Sequence, residues 1–581
     1  MNDFILINTK IHKVDRPNSM FQLNDSWGLI SNGKYQVFAN ADKQILIFGD
    51  YIGSENQLLS TPDDEIPKLR GNFYAIISGT KRLKVYSSFL NMLPLFHTID
   101  NSLIGSSMLL IAEYYNQNLI LDKKYILENL LFNYGFFNRT KYEQIKLVPT
   151  NHALEIENET VTIFRHFSIN ELFVSKQSQS KGSASEVSDL FIENVKHYLP
   201  DEHFDIAFTS GFDGRTLVSC AQYHKKNFST FSFGRAENDD VAIPKKNAEE
   251  LNIAYEHLDL NNDHYIEADF IKNTLAYGKS GYLGNGFLYA HFPYSAKKIM
   301  SRSKYVLSGA CGSELFRALH NPGAVTSSAL VDVFKNQNDQ VIREKLMNSK
   351  VLQVLQSDEF ITELDELINE IIAYKNQLST GISMNQQFYC FVFEEIFRKF
   401  FGQWLVTQQN HVQVRTPFLD FKFVQKLLQT EFAGANNDFL TSNPFKRVKG
   451  QYIYADIIKK TNKKIYYQKT GKGYRPIDVR NVFYMGNIVF PFLKKKFTKK
   501  VAKPFLDNLG IISGVKRNEN FLKDLISSSV LFNKEVLHRM LKDLTAFTPE
   551  KERDTLLMSI SLLNNLLIHE KQQKQQLVEI K

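Results

Sequence analysis

The sequence predicts an α/β protein in two parts. The first is an N-terminal α+β sandwich, and the second is a doubly wound parallel sheet with a helical C-terminal part. Three observations carry this reading. Up to about residue 165 the apolar runs are short and strand-like. Between residues 204 and 307, short apolar runs alternate with helical segments, the pattern of a parallel sheet covered on both faces. From 331 to 428 the periodicity is helical, and an amphipathic helix with a Lys/Gln-rich tail begins near 548.

The elements follow in order. Runs 44–48 and 73–78 read as strands, and Gly79-Thr80 turns the second into a strand at 83–86. A helix is expected over 123–132, then strands at 153–156 and 161–164. The polar stretch 175–185 (SKQSQSKGSAS) has no periodicity and reads as exposed. The expected division is therefore 1–174, a linker 175–190, a second domain 191–480 and a helical extension 481–581. In the second domain a strand at 204–208 is followed by a helix at 215–223 and a strand at 229–233 that ends at Gly234. A helix at 244–251 opens on Pro244, a residue suited to a first turn. Strands at 254–258 and 305–307 complete the pattern, the last ending in Ser308-Gly309. Ligands of such sheets bind at the carboxyl ends of strands, where the small-residue turns of this chain fall.

The most telling turn is Thr209-Ser210-Gly211-Phe212-Asp213-Gly214, between an apolar run and a helix. Backbone N–H groups and a helix N-terminus converge there, which suits a phosphate. Asp213 suits the Mg²⁺ that accompanies phosphates. An ordinary strand–turn–helix has the same local pattern, so the rest of the chain has to decide.

The bulk properties exclude several classes. At 581 residues the chain has room for two or more domains, and 43% apolar with 23% charged residues is ordinary for a globular protein. A net charge of +8 is too dilute over this length for a nucleic-acid footprint. The lysines between Pro491 and Pro504 read as a solvated basic face. Cys220, Cys311 and Cys390 are too few and too scattered for a disulfide framework or a zinc site. No signal-peptide pattern and no membrane-length apolar window are present, so the expected compartment is the cytoplasm. The sequence leaves oligomeric state open.

Several segments share one order and spacing. Thr209 to Gly214 stand where S-G-G-x-D-S would, Ser232-Phe233-Gly234 follow, and then comes the acidic pair Asp239-Asp240. Leu307-Ser308-Gly309-Ala310-Cys311-Gly312-Ser313-Glu314-Leu315-Phe316 is similar to L-S-G-x-G-x-D-E-L-F. Val414-Arg415-Thr416-Pro417-Phe418-Leu419-Asp420 matches V-R-x-P-F-L-D, and Gln468-Lys469 stands in a late loop. Gly71-Asn72-Phe73-Tyr74-Ala75 and Pro94-Leu95-Phe96 agree more loosely. Together, over about residues 70–480, these resemble the asparagine synthetase-like proteins, in which an ATP pyrophosphatase domain follows a glutaminase-like domain.

The resemblance implies ATP and Mg²⁺, held by Thr209, Ser210, Gly211, Asp213, Gly214 and Gly309, with Asp213 and Glu314 on the metal. It implies Lys469 as the cation beside the phosphates and Glu314 in catalysis. Ser232, Gly234 and Leu258 lie at strand ends suited to adenine and ribose. Glu394 and Glu395 read as a surface pair rather than a general base. Arg415 is left off the site, with an ion pair to Asp420 or to a neighbouring helix as its alternative role.

Three departures shape the expected function. Position 2 is Asn2 and no cysteine precedes Cys220, so the thiol that releases ammonia from glutamine in this family is absent. Relatives without it, such as β-lactam synthetases and lasso-peptide cyclases, join a carboxylate to an amine of the substrate. Ala310 replaces an acidic or tyrosine side chain, and Ser313 replaces a metal-binding aspartate. Ser210 and Gly214 replace a glycine and a serine of the phosphate loop. The expectation is ATP-dependent amide formation from a small-molecule or peptide carboxylate and an amine. The alternatives are ammonia-dependent asparagine synthesis and an inactive member serving as a binding or scaffold subunit.

Overall fold

A computed structural model describes residues 3–12, 20–79, 82–115, 117–157, 159–173, 184–282, 284–317, 325–378, 381–437, 449–484, 486–490 and 506–579. Strands are numbered along the chain. The N-terminal part holds β1 (Phe4–Asn8), β2 (Met20–Gln22), β3 (Trp27–Ser31), β4 (Gln36–Ala39), β5 (Gln44–Tyr51), β6 (Gly71–Ser78), β7 (Arg82–Ser87), β8 (Phe96–Thr98), β9 (Leu103–Gly105), β10 (Ile145–Leu147), β11 (His152–Glu157) and β12 (Thr160–Arg165). They form two six-stranded antiparallel sheets, ordered β10-β8-β9-β1-β3-β2 and β12-β11-β7-β6-β5-β4. The longest pairing, β5 with β6, runs from Gln44 opposite Ser78 to Tyr51 opposite Gly71. Phe4, Leu6, Phe48, Tyr74 and Ile76 fill a shared core between the sheets, and helix Lys123–Phe132 packs where its sequence predicted it.

The second part is a five-stranded parallel sheet of β13 (Phe204–Ala207), β14 (Phe228–Phe233), β15 (Tyr255–Leu258), β16 (Tyr305–Leu307) and β17 (Gln413–Arg415), ordered β15-β14-β13-β16-β17. Strand order reverses at β13, so the crevice of this fold opens beyond the carboxyl ends of β13 and β16. β17 arrives after a helical excursion of about a hundred residues and was not legible, because Gln413-Val414-Arg415 is not an apolar run as Tyr305-Val306-Leu307 is. β1 to β4 and β8 to β10 were likewise unassigned.

Several boundaries move. The helix after β13 starts at Phe212 rather than 215, which puts Asp213 in its first turn. The next helix is Asp239–Leu251, so Pro244 lies inside it and does not open it. The start is set by Asn238, whose side chain accepts from Asp240 N, and by two acidic residues beside the positive end of the dipole. Of the expected linker, 175–183 lies outside the described residues, and 184–190 already belongs to helix Ala184–Tyr198. Glu394 and Glu395 are no surface pair. They occupy a π-helical turn, Val392–Ile396, where Glu395 is buried and binds Arg398 at 2.9 Å and Lys399.

The two parts share one hydrophobic core, which runs from Phe4 to Leu563. Arg415 pairs with Asp50 of β5 at 2.6 Å rather than with Asp420, and its Nη1 also donates to the Tyr198 carbonyl at the end of helix Ala184–Tyr198, at 3.1 Å. Asp420 instead binds Arg70 at 3.0 Å and Asn194 at 2.8 Å. The final helix, Glu550–Glu579, is seated in the body of the protein. The Asn565 carbonyl accepts from the buried Lys141 ammonium at 2.9 Å, and Ser561 binds Asn285 at 2.9 Å. Among the described residues, no helix is long and apolar enough to cross a membrane.

Candidate active site

Two loops meet in the crevice, one after β13 and one after β16. The first leads into helix Phe212–Tyr223, whose N-cap Gly211 has no side-chain cap, so the first amides of the helix have no capping partner. Ser210, which replaces a glycine of the phosphate loop, does not adopt a left-handed backbone. Its hydroxyl and amide both donate to Asp240 Oδ1, at 2.5 and 3.1 Å. Thr209 is exposed, and Gly214 lies so near the Ala207 carbonyl that an added Cβ would stand 2.7 Å from it.

Asp213 is the point of contact between the loops. Ser313 Oγ donates to its Oδ2 at 2.8 Å, and the Tyr454 hydroxyl donates to its Oδ1. Gly309 and Gly312 allow this approach. A Cβ on Gly309 would stand 2.6 Å from Asp213 Cβ, and one on Gly312 would stand 2.5 Å from Asp213 Oδ1. Cys311 between them adopts φ 68°, a left-handed conformation rare for a residue with a side chain. The second loop is thus held in a strained shape against the first.

Charge is concentrated around this contact. Glu314 is buried in helix Gly312–Phe316. Burial pushes its carboxyl up to about 7, with Arg317 opposing and the Asp213 charge adding to the rise. Arg317 Nη2 lies 3.8 Å from Glu314 Oε1, and its Nε donates to the Ser313 carbonyl at 3.3 Å. Lys472 is an exposed residue whose ammonium lies within electrostatic reach of Arg317 and Asp213. Desolvation lowers its pKa, the Arg317 charge lowers it further, and the Asp213 charge opposes both.

A third loop completes the wall. The fully buried Arg215 donates from Nη2 to the Lys469 carbonyl at 2.6 Å and from Nε to the Ser210 carbonyl at 3.4 Å. Gly471 N also donates to Ser210 O, at 3.2 Å. Lys469 therefore meets the site through its main chain, and its side chain is exposed. The lysine of this loop that the Asp213 charge acts on is Lys472.

The structure thus brings together Thr209, Ser210, Gly211, Asp213, Gly214, Gly309 and Glu314, with the loop of Lys469 beside them. The remaining three residues lie at the ends of the neighbouring strands β14 and β15. Ser232 is buried and donates to the Phe208 carbonyl at 2.5 Å, and Leu258 is buried. Gly234 has φ +122° and lies directly beneath the Asn508 side chain, which accepts from Arg235 N at 2.8 Å. Sequence reasoning missed Arg215, Arg317, Tyr454 and Lys472. Arg317 and Lys472 each stand three residues from a residue it did select (Glu314 and Lys469), and that spacing is the one signal that points to them. Nothing in the sequence marks Tyr454.

Residues 186–484, just over half of the chain, match the sequence family described as asparagine synthase. Comparison with curated proteins gives no match. One solved structure, described as the allosteric regulatory enzyme of purine biosynthesis, is 9% identical and has a TM-score of 0.19. The match covers 44% of this chain and 59% of that one, so the chain spans less than two thirds of that enzyme. Another is glutamine phosphoribosylpyrophosphate amidotransferase from B. subtilis, complexed with ADP and GMP. It is 8% identical over 60% of this chain and 83% of its own, with a TM-score of 0.17. Likenesses at such TM-scores carry no argument about fold or function.

Proposed function

The chain belongs to the asparagine synthase family, and from that premise we propose that it uses ATP to join a substrate carboxylate to an amine, releasing AMP and pyrophosphate. ATP-using amidation is the chemistry of the family; the adenylation route and the substrate class are the proposal. The observation that carries it is the meeting of the β13 and β16 loops at Asp213, with a helix N-terminus, Arg317 and Lys472 around one point of the crevice.

In this reading a carboxylate oxygen attacks the α-phosphorus and pyrophosphate departs. The amine nitrogen then attacks the acyl carbon, loses a proton and displaces AMP. The first amides of helix Phe212–Tyr223 bind phosphate oxygens. Arg317 and Lys472 stabilise the negative charge that builds on the departing pyrophosphate. Glu314, with its carboxyl near 7, accepts the amine proton. Gly309, Gly312 and Tyr454 keep Asp213 in place and so fix the distance between the loops.

The nitrogen donor is an amine or ammonia rather than glutamine, because no cysteine occurs among the first 219 residues. The carboxylate belongs to a small molecule or peptide, and the reaction takes place in the cytoplasm. Residues 1–174 form the glutaminase-like unit and 191–480 the ligase unit. The test is exchange of labelled pyrophosphate into ATP, run with panels of carboxylates and no amine. Exchange that needs a carboxylate supports adenylation, and ADP with phosphate as products would overturn it.

One observation favours a second reading, a member without turnover. Ser232 and Leu258 are buried and Asn508 covers Gly234, so the outer strand ends are closed. ATP binding without any exchange across the panels would favour that reading.

A further inference from the structure

The side chains around Asp213 do not compose a divalent-cation site. Mg²⁺ demands near-octahedral oxygen ligands at 2.0–2.1 Å and is usually held by one or two carboxylates together with phosphates. Here both Asp213 oxygens already accept a hydroxyl hydrogen bond, from Ser313 at 2.8 Å and from Tyr454. Gly312 packs close to Asp213 Oδ1 and Gly309 close to Asp213 Cβ, so the carboxylate is held at the contact between the loops. Position 313 offers no second carboxylate, because Ser313 carries a neutral hydroxyl that donates a hydrogen bond to Asp213. Glu314 is buried with Arg317 as its charged neighbour, 3.8 Å away. Among the described residues, no group of three or more His, Cys, Asp or Glu is placed to hold a metal.

What does surround the carboxylate is cationic. Arg317 is anchored on the Ser313 carbonyl at 3.3 Å and keeps a half-exposed guanidinium. Its planar fork matches two phosphate oxygens at once. Lys472 comes from the opposite loop, which Arg215 and Gly471 hold against Ser210. Two positive side chains therefore add their charge near Asp213, which disfavours a divalent cation there.

We propose that this chain binds the polyphosphate of its nucleotide without a divalent cation, with Arg317 and Lys472 supplying the counter-charge that Mg²⁺ ordinarily supplies. The proposal rests on the reading above that the crevice takes ATP. Asp213 then acts as a positioning residue that ties the two loops together, and it is not a metal ligand. Ser313 is part of that tie.

The test is titration of ATP into the full-length protein in excess EDTA and again in excess Mg²⁺. The expected affinities agree within about threefold. Arg317→Ala and Lys472→Ala each weaken binding in EDTA by about tenfold, the size of a lost charge-assisted contact. Ser313→Asp adds the missing carboxylate, and its binding should become stronger with Mg²⁺ than with EDTA. Lys472 is exposed, so its variant separates a loss of charge from a loss of fold. Wild-type binding that requires Mg²⁺ would overturn the inference and leave the ligase reading intact. Unchanged affinity in both alanine variants would overturn the assigned counter-charge. Binding in neither condition would overturn the inference and the ligase reading together.

Discussion

Gly312 is the narrowest point between the two strand-end loops, and its replacement tests their contact directly. In Gly312→Ala the new methyl group would stand 2.5 Å from Asp213 Oδ1 and 2.6 Å from the Tyr454 hydroxyl. Such overpacking costs about 1–3 kcal/mol and separates the loops. A lower melting temperature together with ATP binding weakened at least about tenfold is expected. Arg215→Met should behave differently. It keeps the apolar packing but leaves the Lys469 carbonyl without its charged donor, so the third loop loosens. ATP affinity should fall while far-UV circular dichroism stays unchanged. At this scale the sequence was legible where chemistry is carried by residue type within a contiguous turn, as at Ser210, Gly211 and Asp213. It was not legible at Tyr454, which reaches Asp213 across 241 positions of chain. Lys469 and Lys472 were equally basic on paper, and only the fold decides which of them stands near Asp213.

At the scale of elements, short strands in unbroken alternation with helices were readable, because buried parallel strands are apolar on both faces. The strand at β17 was not, although the residues around it matched a recognisable segment. Its role explains that segment's charges. Arg415 on β17 reaches Asp50 on β5 through two bonds, at 2.6 and 3.1 Å, and stacks over Tyr305 at 4.3 Å. Asn72 of β6 donates to the Val414 carbonyl at 2.9 Å. The edge of the parallel sheet is thereby clamped to the N-terminal sandwich. Asp50→Ala leaves a largely buried guanidinium without its anion, which costs about 3–5 kcal/mol. Denaturant unfolding of that variant against wild type measures the loss. A change within about 0.5 kcal/mol would mean that the clamp contributes little.

Over the whole molecule, the final hundred residues were read as an extension, yet they complete the core. Leu556, Leu557, Ile560 and Leu563 of the last helix are buried against the rest of the protein. A chain ending at residue 549 should therefore aggregate or melt well below the full-length protein. Acid sensitivity also belongs to this scale. Burial among Phe233, Tyr289 and Phe292 lowers the His291 pKa to about 3. Burial likewise lowers His166, both of whose ring nitrogens lack hydrogen bonds, to about 4. A depressed histidine favours the folded state fully above its ordinary value of 6.5, and that advantage is lost as the pH falls toward the folded value. Between about pH 7.5 and pH 5, each histidine should cost about 2 kcal/mol of stability. His291→Phe should flatten that dependence in thermal melts.

The central claim is that ATP sits where the loops after β13 and β16 meet. Amide hydrogen exchange of the full-length protein with and without ATP tests it most directly. Slowed exchange is expected over 208–216, 308–317 and 468–474, with the two antiparallel sheets unchanged. Slowing confined to other segments, or none at saturating ATP, would contradict it.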